Sequence, residues 1–294
     1  MADESDVIDL VLEARDRDLG GGFAVHRVLP QARRRHVGPF VFVDHMGPME
    51  LPAGEGMDVR PHPHIGLATI TYLFDGEFVH RDSLGSDQPI RPGEVNWMIA
   101  GRGIQHSERT GAERRATGGR IHGLQTWVAL PITDEETAPR FEHHPQAAIP
   151  RIARPGAVLD VIAGTAYGAR SPAGVLSPTL YVHALLDAGA ELPIDDEHAE
   201  RAVYVVEGEV ECAGRTAGVG TMLVLKPVPA VIRALGAARV VLVGGAPLDG
   251  ERHIWWNFVS SSRDRIERAK LDWTERRFGV IPGDEHERIP LPDH

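Results

Sequence analysis

Arg60-Pro-His-Pro-His-Ile-Gly66 and Gly101-Arg-Gly-Ile-Gln-His-Ser-Glu108 are the two stretches on which the reading of this chain turns. His62 and His64 are spaced i, i+2, and so are His106 and Glu108. In an extended strand that spacing puts both side chains on one face. Two neighbouring strands can therefore aim three imidazoles and one carboxylate at a common point, which is the donor set of a metal site. The chain holds 15 His, so one such pair also arises by chance, and a strand His is often only a hydrogen-bonded residue. The surrounding residues decide between the two readings.

A structural zinc site prefers thiolates and closes its tetrahedron, whereas neutral His with one hard carboxylate and open positions suits Fe(II), Mn or Ni. Iron is the expectation. Cys212 is the only cysteine, so neither an intrachain disulfide nor a thiolate cluster can form. Its setting, Val210-Glu-Cys-Ala213, reads as a strand with a small buried hydrophobe.

Ile65-Gly-Leu-Ala-Thr-Ile-Thr-Tyr-Leu-Phe74 is β-rich and ends at Asp75-Gly76, a hairpin signal, with Glu77 to Asp82 as the second arm. Arg91-Pro-Gly-Glu94 then precedes the apolar run Val95-Asn-Trp-Met-Ile-Ala100 and the strand carrying His106 and Glu108. Gly56 stands six residues before His62, and Gly76 twelve after His64. Glycine, His-x-His, strand, glycine, then Pro-Gly, strand, glycine and His resembles the layout of a cupin barrel. Cupins commonly carry a Glu in the strand after the His pair. Here that place falls on Ala68 or Thr69, and the carboxylate is supplied by Glu108 instead.

That departure is itself a signature. Arg60 to Gly66, Trp97-Met-Ile-Ala-Gly-Arg-Gly-Ile-Gln-His-Ser-Glu108, His122-Gly-Leu-Gln-Thr-Trp-Val-Ala-Leu-Pro131 and Val37-Gly-Pro-Phe-Val-Phe-Val-Asp-His-Met-Gly-Pro48 closely resemble the pirin family. The resemblance covers the N-terminal half well and the remainder more loosely. It implies a bicupin with one Fe(II) in the N-terminal barrel, held by His62, His64, His106 and Glu108, with Glu108 also catalytic. Cupin geometry accepts other divalent metals. Pirins often carry Arg where this chain has Ile65, and the resemblance places that change at the pocket rim.

The expected fold is all-β: two cupin, jelly-roll-like β-barrels in one chain with a short C-terminal helix. Residues 1–130 read as the barrel with the metal site, 131–155 as a charged, Pro-containing connection, and 156–260 as a second cupin-like barrel without metal ligands. Residues 261–294 read as an amphipathic helix and a Pro-rich tail. Short strands return after residue 155, and Tyr204-Val-Val-Glu-Gly-Glu-Val210 repeats Tyr72-Leu-Phe-Asp-Gly-Glu-Phe78. Counting twelve back from Gly208 lands on Asp196, with Ile194 two before it, while His198 and Glu200 are out of register. In 261–277 a Ser cap precedes Ile266, Ala269 and Trp273 at helical spacing, a face for packing on the barrel.

His80 and Asp82 form a further i, i+2 pair, and Asp44-His45 sits in one of the family-like motifs. Any of these could bond a ligand imidazole and fix its tautomer, or serve only in the core or surface. His122, Gln125 and Trp127 lie near the barrel mouth, though strand alternation lets only some point inward, and Trp127 reads as core. No phosphate-binding loop or nucleophile-elbow motif is present.

The chain has 294 residues and 42% apolar content, enough for two domains with real cores. A net charge of -11 opposes direct nucleic-acid binding, and Arg33-Arg-Arg-His36 reads as a solvated face. No run has the length of a membrane span and the N-terminus lacks signal-peptide character, so the expected location is cytoplasmic. Resemblance to pirins implies quercetin 2,3-dioxygenase chemistry on a flavonol or other phenolic substrate with O2. The alternative it implies is an iron-dependent regulator whose partner is a transcription factor or metabolic enzyme.

Overall fold

Leu67-Ala-Thr-Ile-Thr-Tyr-Leu-Phe-Asp75, rich in β-branched and aromatic residues, is buried along almost its whole length and forms a central strand. The computed structural model describes residues 4–18 and 24–292; Met1 to Asp3, at the start of the N-terminal segment, and the last two tail residues lie outside the described residues. The fold is all-β: two cupin barrels and a C-terminal helix.

The barrel that carries the candidate ligands consists of β1 (Asp58–His64), β2 (Leu67–Asp75), β3 (Phe78–Asp82), β4 (Asp87–Ile90), β5 (Val95–Ile99), β6 (Ile104–Arg109), β7 (Gly119–Ala129) and β8 (Arg140–His144). One sheet runs β1-β6-β3-β4, and the facing sheet contains the run β8-β5-β2-β7, all antiparallel. Asp75-Gly76 therefore does not close a hairpin. β2 pairs with β5 and β7 while β3 pairs with β4 and β6, so the turn carries the chain from one sheet into the other. Gly76 takes φ +91°, and a Cβ there would sit 2.4 Å from Ile121 Cδ1 and 2.8 Å from the Arg120 carbonyl oxygen. Only glycine accepts both constraints.

The second barrel repeats the pattern with β9 (Glu191–Ile194), β10 (Glu200–Glu207), β11 (Glu209–Cys212), β12 (Arg215–Gly218), β13 (Thr221–Leu225), β14 (Ala230–Ala234) and β15 (Ala238–Gly245). Its sheets run β9-β14-β11-β12 and β13-β10-β15, the same orders as β1-β6-β3-β4 and β5-β2-β7. Its interior is aliphatic: Leu159, Val161, Val182, Val203, Val205, Leu223 and Val240 are completely buried. Each such side chain contributes roughly 1.5–3 kcal/mol over its exposed state.

Contacts divide the chain differently from cuts at residues 130, 155 and 260. One unit joins residues 1–45 to 145–247, and the other joins 46–144 to 248–294. The reason is strand pairing. The N-terminal strand Ile8–Glu13 lies antiparallel on β13, so it belongs with the second barrel. In the other unit, the strand Phe258–Ser260 bridges Ile65, and helix α1 (Arg263–Thr274) follows it. Ser262 caps α1 by accepting from the Arg265 N–H, and its face Ile266, Ala269 and Trp273 is buried, as the spacing predicts.

Ile65 is buried in this cluster with Phe258, Trp273 and Phe278. It is thus not a rim residue. Strand alternation turns it away from His64, and the C-terminal arm covers it, so an aliphatic here extends the core.

Candidate metal centre

β1 and β6 lie side by side with His62 directly opposite His106, and His64 opposite Ile104. The register slips between His106 and Glu108, a bulge that re-aims the carboxylate. His62, His64, His106 and Glu108 are 6%, 1%, 1% and 8% exposed, so His62 and Glu108 mark the open side of the cluster. The ring centroids of the three His stand 4.4–5.0 Å apart, and ligand atoms of all three lie within 4.8 Å of one another. His106 and Glu108 form a second such group with His80.

The hydrogen bonds orient these rings. His62 Nδ1 is 2.9 Å from the Arg60 carbonyl, and His64 Nδ1 is 3.1 Å from that of Asn257. A carbonyl only accepts, so each ring carries its proton on Nδ1 and leaves Nε2 as a lone pair. His64 Nε2 and His106 Nε2 face each other at 3.1 Å. Two lone pairs at that distance in a buried site repel unless a cation or a proton lies between them. The three imidazoles therefore fit a divalent metal held by their Nε2 atoms, while Glu108 stands nearer to His106 and His80 than to His62 and His64 together.

Electrostatics agree with that fit. Burial pushes His62 down to about 4 against the opposing hydrogen bond to Arg60. Burial, then proximity to His62, holds His64 and His106 well below the usual imidazole value. All three are neutral at pH 7, the form that ligates. Burial raises the Glu108 carboxyl, partly offset by a 2.7 Å hydrogen bond from Thr71 Oγ1. A bound cation would favour its ionised form.

Sequence reasoning missed Thr71 and Asn257. Thr71 projects from β2 toward Glu108, and Gln125 Oε1 lies 2.8 Å from the same hydroxyl. One hydroxyl has one proton, so with Thr71 donating to Glu108 the Gln125 amide satisfies both by turning its NH2 group inward. Register exposes the connection: Gln125 is opposite Thr71, and Trp127 opposite Thr69, on one face of the β2–β7 pair. Trp127 stands edge-on to His64 with ring centroids 5.1 Å apart. His122 falls on the other face, against Phe74 at 4.9 Å. Asn257 reaches the site from 193 residues away through the C-terminal arm, and no local signal announces it.

Of the neighbouring candidates, His80 lies against a ligand-strand imidazole: its Nδ1 is 3.3 Å from His106 Nδ1, and its Nε2 is 3.0 Å from Asp82 Oδ2. Asp44 instead takes a bidentate pair from Arg27, at 2.7 and 2.8 Å, and His45 Nδ1 lies 3.0 Å from the Tyr204 hydroxyl. In the second barrel His198 Nε2 bonds the Thr165 carbonyl and Glu200 accepts from the Gly38 N–H.

On the outer face of β6 the tail acts as a brace. Ser107 donates to Asp284 at 2.7 Å, and Arg109 pairs with Asp284 through two 2.7 Å bonds. Ser107 points opposite to His106 and Glu108, so this contact lies behind the ligand strand.

Two cupin barrels in one chain, one enclosing a His-rich cluster and the other packed with aliphatics, define a bicupin with a single candidate metal centre among the described residues. The Pirin family profile matches residues 22–128, and that of the Pirin C-terminal cupin domain matches residues 181–279. The chain belongs to the pirin family. A pirin-like protein of Caulobacter vibrioides is 50% identical over 98% of this chain and 100% of its own length. A crystal structure of quercetin 2,3-dioxygenase from Acinetobacter baumannii superposes with TM-score 0.89 at 34% identity, covering 97% of this chain and 96% of that one. A bacterial pirin of Escherichia coli in complex with nickel(II) shares the fold, with TM-score 0.63 at 20% identity over 81% of this chain and 99% of the other. Among the described residues no helix is long and apolar enough to cross a membrane.

Proposed function

We propose that this chain is a mononuclear iron dioxygenase acting on flavonol-type phenolic substrates, with His62, His64, His106 and Glu108 as ligands of one Fe(II). The observation that carries the reading is the convergence of buried, neutral imidazoles beside a single carboxylate in the donor arrangement just described. Similarity to the Acinetobacter baumannii quercetin 2,3-dioxygenase supports the choice of substrate.

Bound iron supplies Lewis acidity and one-electron chemistry toward O2, which no side chain here offers. The protein's part is to hold and to move a proton. His62 and His64 keep their protons on Nδ1, and all three imidazoles present neutral donors. Glu108, with proton affinity raised by burial and its charge steadied by Thr71, takes the 3-hydroxyl proton of a flavonol entering from the open side. A bound cation would lower that proton affinity, so the transfer would need one Glu108 oxygen to remain free. Trp127 closes the apolar wall behind His64 and limits water.

The reading is tested by metal analysis of protein purified without chelator, combined with O2 uptake when quercetin is added after anaerobic Fe(II) loading. Turnover with one iron per chain, abolished together with metal content by His62→Ala, is the expected result. Full iron without O2 uptake across a panel of phenols would sink the dioxygenase assignment.

A further inference from the structure

The three imidazoles of the cluster are held on their Nδ1 sides in two ways. His62 and His64 donate to main-chain carbonyls, which accept and nothing else. His106 faces another imidazole, the Nδ1 of His80 at 3.3 Å. Two ring nitrogens bond only when one donates and the other accepts, so this pair alone does not say where either proton is.

Asp82 decides it. Its Oδ1 accepts from the backbone N–H groups of Leu84 and Ser86, at 2.8 and 3.1 Å, and its Oδ2 lies 3.0 Å from His80 Nε2. Asp82 is fully buried, and its Oδ1 already takes two backbone N–H donors, the surroundings of a carboxylate. Its Oδ2 has His80 Nε2 before it and accepts from that ring, which places the His80 proton on Nε2. His80 Nδ1 is then an acceptor, and His106 must carry its proton on Nδ1. The His106 Nε2 lone pair is left facing His64 Nε2.

We propose that His80 and Asp82 are positioning residues that fix the tautomer of His106, a buried carboxylate acting through one ring on the next to direct the Nε2 lone pair at the metal. The proposal rests on reading His106 as a ligand. His80 cannot turn easily, because its ring stacks on Phe141 at 4.3 Å with 13° between the planes. The second barrel gives an independent argument. On β3, Asp82 is opposite His106 and His80 is opposite Glu108; on β11, Cys212 is opposite Ile232 and Val210 is opposite Ala234. Where the ligand positions are apolar, the positions of His80 and Asp82 are apolar as well. The pair thus goes with the cluster rather than with the fold.

Asp82→Asn is the decisive substitution. The backbone N–H groups of Leu84 and Ser86 hold the amide oxygen, so the NH2 group faces His80, reverses its tautomer and turns it into a donor against His106. Co(II) affinity, measured by chelator competition, is expected to fall about 10–100-fold, the usual effect of removing such an outer partner. The Fe(III)/Fe(II) midpoint potential is expected to rise, and Asp82→Glu to recover part of both. Affinity and potential equal to wild type in Asp82→Asn overturn the proposal. Should that variant not fold, 15N spectra of histidine-labelled, Zn(II)-loaded wild type decide instead. A proton on His80 Nε2 is expected, whereas a proton or a metal on His80 Nδ1 overturns it. Failure of the ligand reading looks different: wild type then binds no Co(II), and His62→Ala changes nothing.

Discussion

The two barrels have the same strand order and register yet opposite interiors, and the positions where they differ are those of the candidate site. In the first, His62 is opposite His106 and two residues from His64; in the second, Leu192 is opposite Ile232 and two residues from Ile194. By strand pairing, Val210 faces Ala234 and Cys212 faces Ile232, where His80 faces Glu108 and Asp82 faces His106. Six polar positions on three strands thus answer to six apolar ones. The backbone plan of a cupin needs neither set. An aliphatic interior stabilises by burial alone, whereas four imidazoles and two carboxylates cost desolvation that only hydrogen bonds and a cation offset.

Exchange of residues between the barrels tests this contrast most severely. His62→Leu combined with His106→Ile gives the first barrel the second barrel's residues. Metal content is expected to drop below about a tenth of an equivalent, as half the donor set is gone, while the chelated protein melts no lower than chelated wild type. A melting point several degrees below would show that the imidazoles stabilise the fold without metal. Glu108→Ala, which copies Ala234, is expected to cut flavonol-dependent O2 uptake about 10²–10⁴-fold, the range for losing a general base. Retained turnover in the iron-loaded variant would remove Glu108 from proton transfer.

In the reverse direction, Leu192→His places an imidazole among buried aliphatics. A loss of about 3 kcal/mol in unfolding free energy is expected from denaturant titration, with no gain of metal. Stoichiometric metal in the second barrel would show that one donor suffices to seed a site.

The smallest effect concerns the brace behind β6. Asp284→Asn should cost about 2 kcal/mol at pH 7, since hydrogen bonds to charged groups are each worth more than neutral ones. Burial would raise the Asp284 carboxyl, but the bonds from Arg109 and Ser107 outweigh it and hold it below the ordinary carboxylate value. A depressed folded-state value stabilises above the unfolded carboxylate value, near 4, and is lost as pH falls through the folded one. The difference between wild type and Asp284→Asn should therefore be full at neutral pH and close below about pH 4. A constant difference across that range would assign the effect to packing.

Much of the site was legible because its spacing is local. A period of two puts His62 with His64 and His106 with Glu108 on one face of each strand, and the same rule picks out His80 with Asp82. Alternation also separates Gln125 and Trp127 from His122, once the face of one of them is known. The rest was not legible, because it depends on which strands become neighbours. The count back from Gly208 went astray since five residues separate Ile194 from Glu200, where two separate His64 from Leu67. Ile65 looked like a rim residue because nothing near it in sequence shows that Phe258 and Trp273 will cover it.

Sequence by itself determined the class of fold, the presence of two repeats and which residues are candidates to meet a metal, for each is written in short-range periodicity and turn chemistry. Tertiary structure alone decided how those residues are held: the Asn257 carbonyl on His64, Asp284 on the back of β6, and the chain of hydrogen bonds from Asp82 through His80 to His106. A tautomer depends on the atom a ring nitrogen faces, and that atom comes from a neighbouring strand or a distant arm that only folding brings into place.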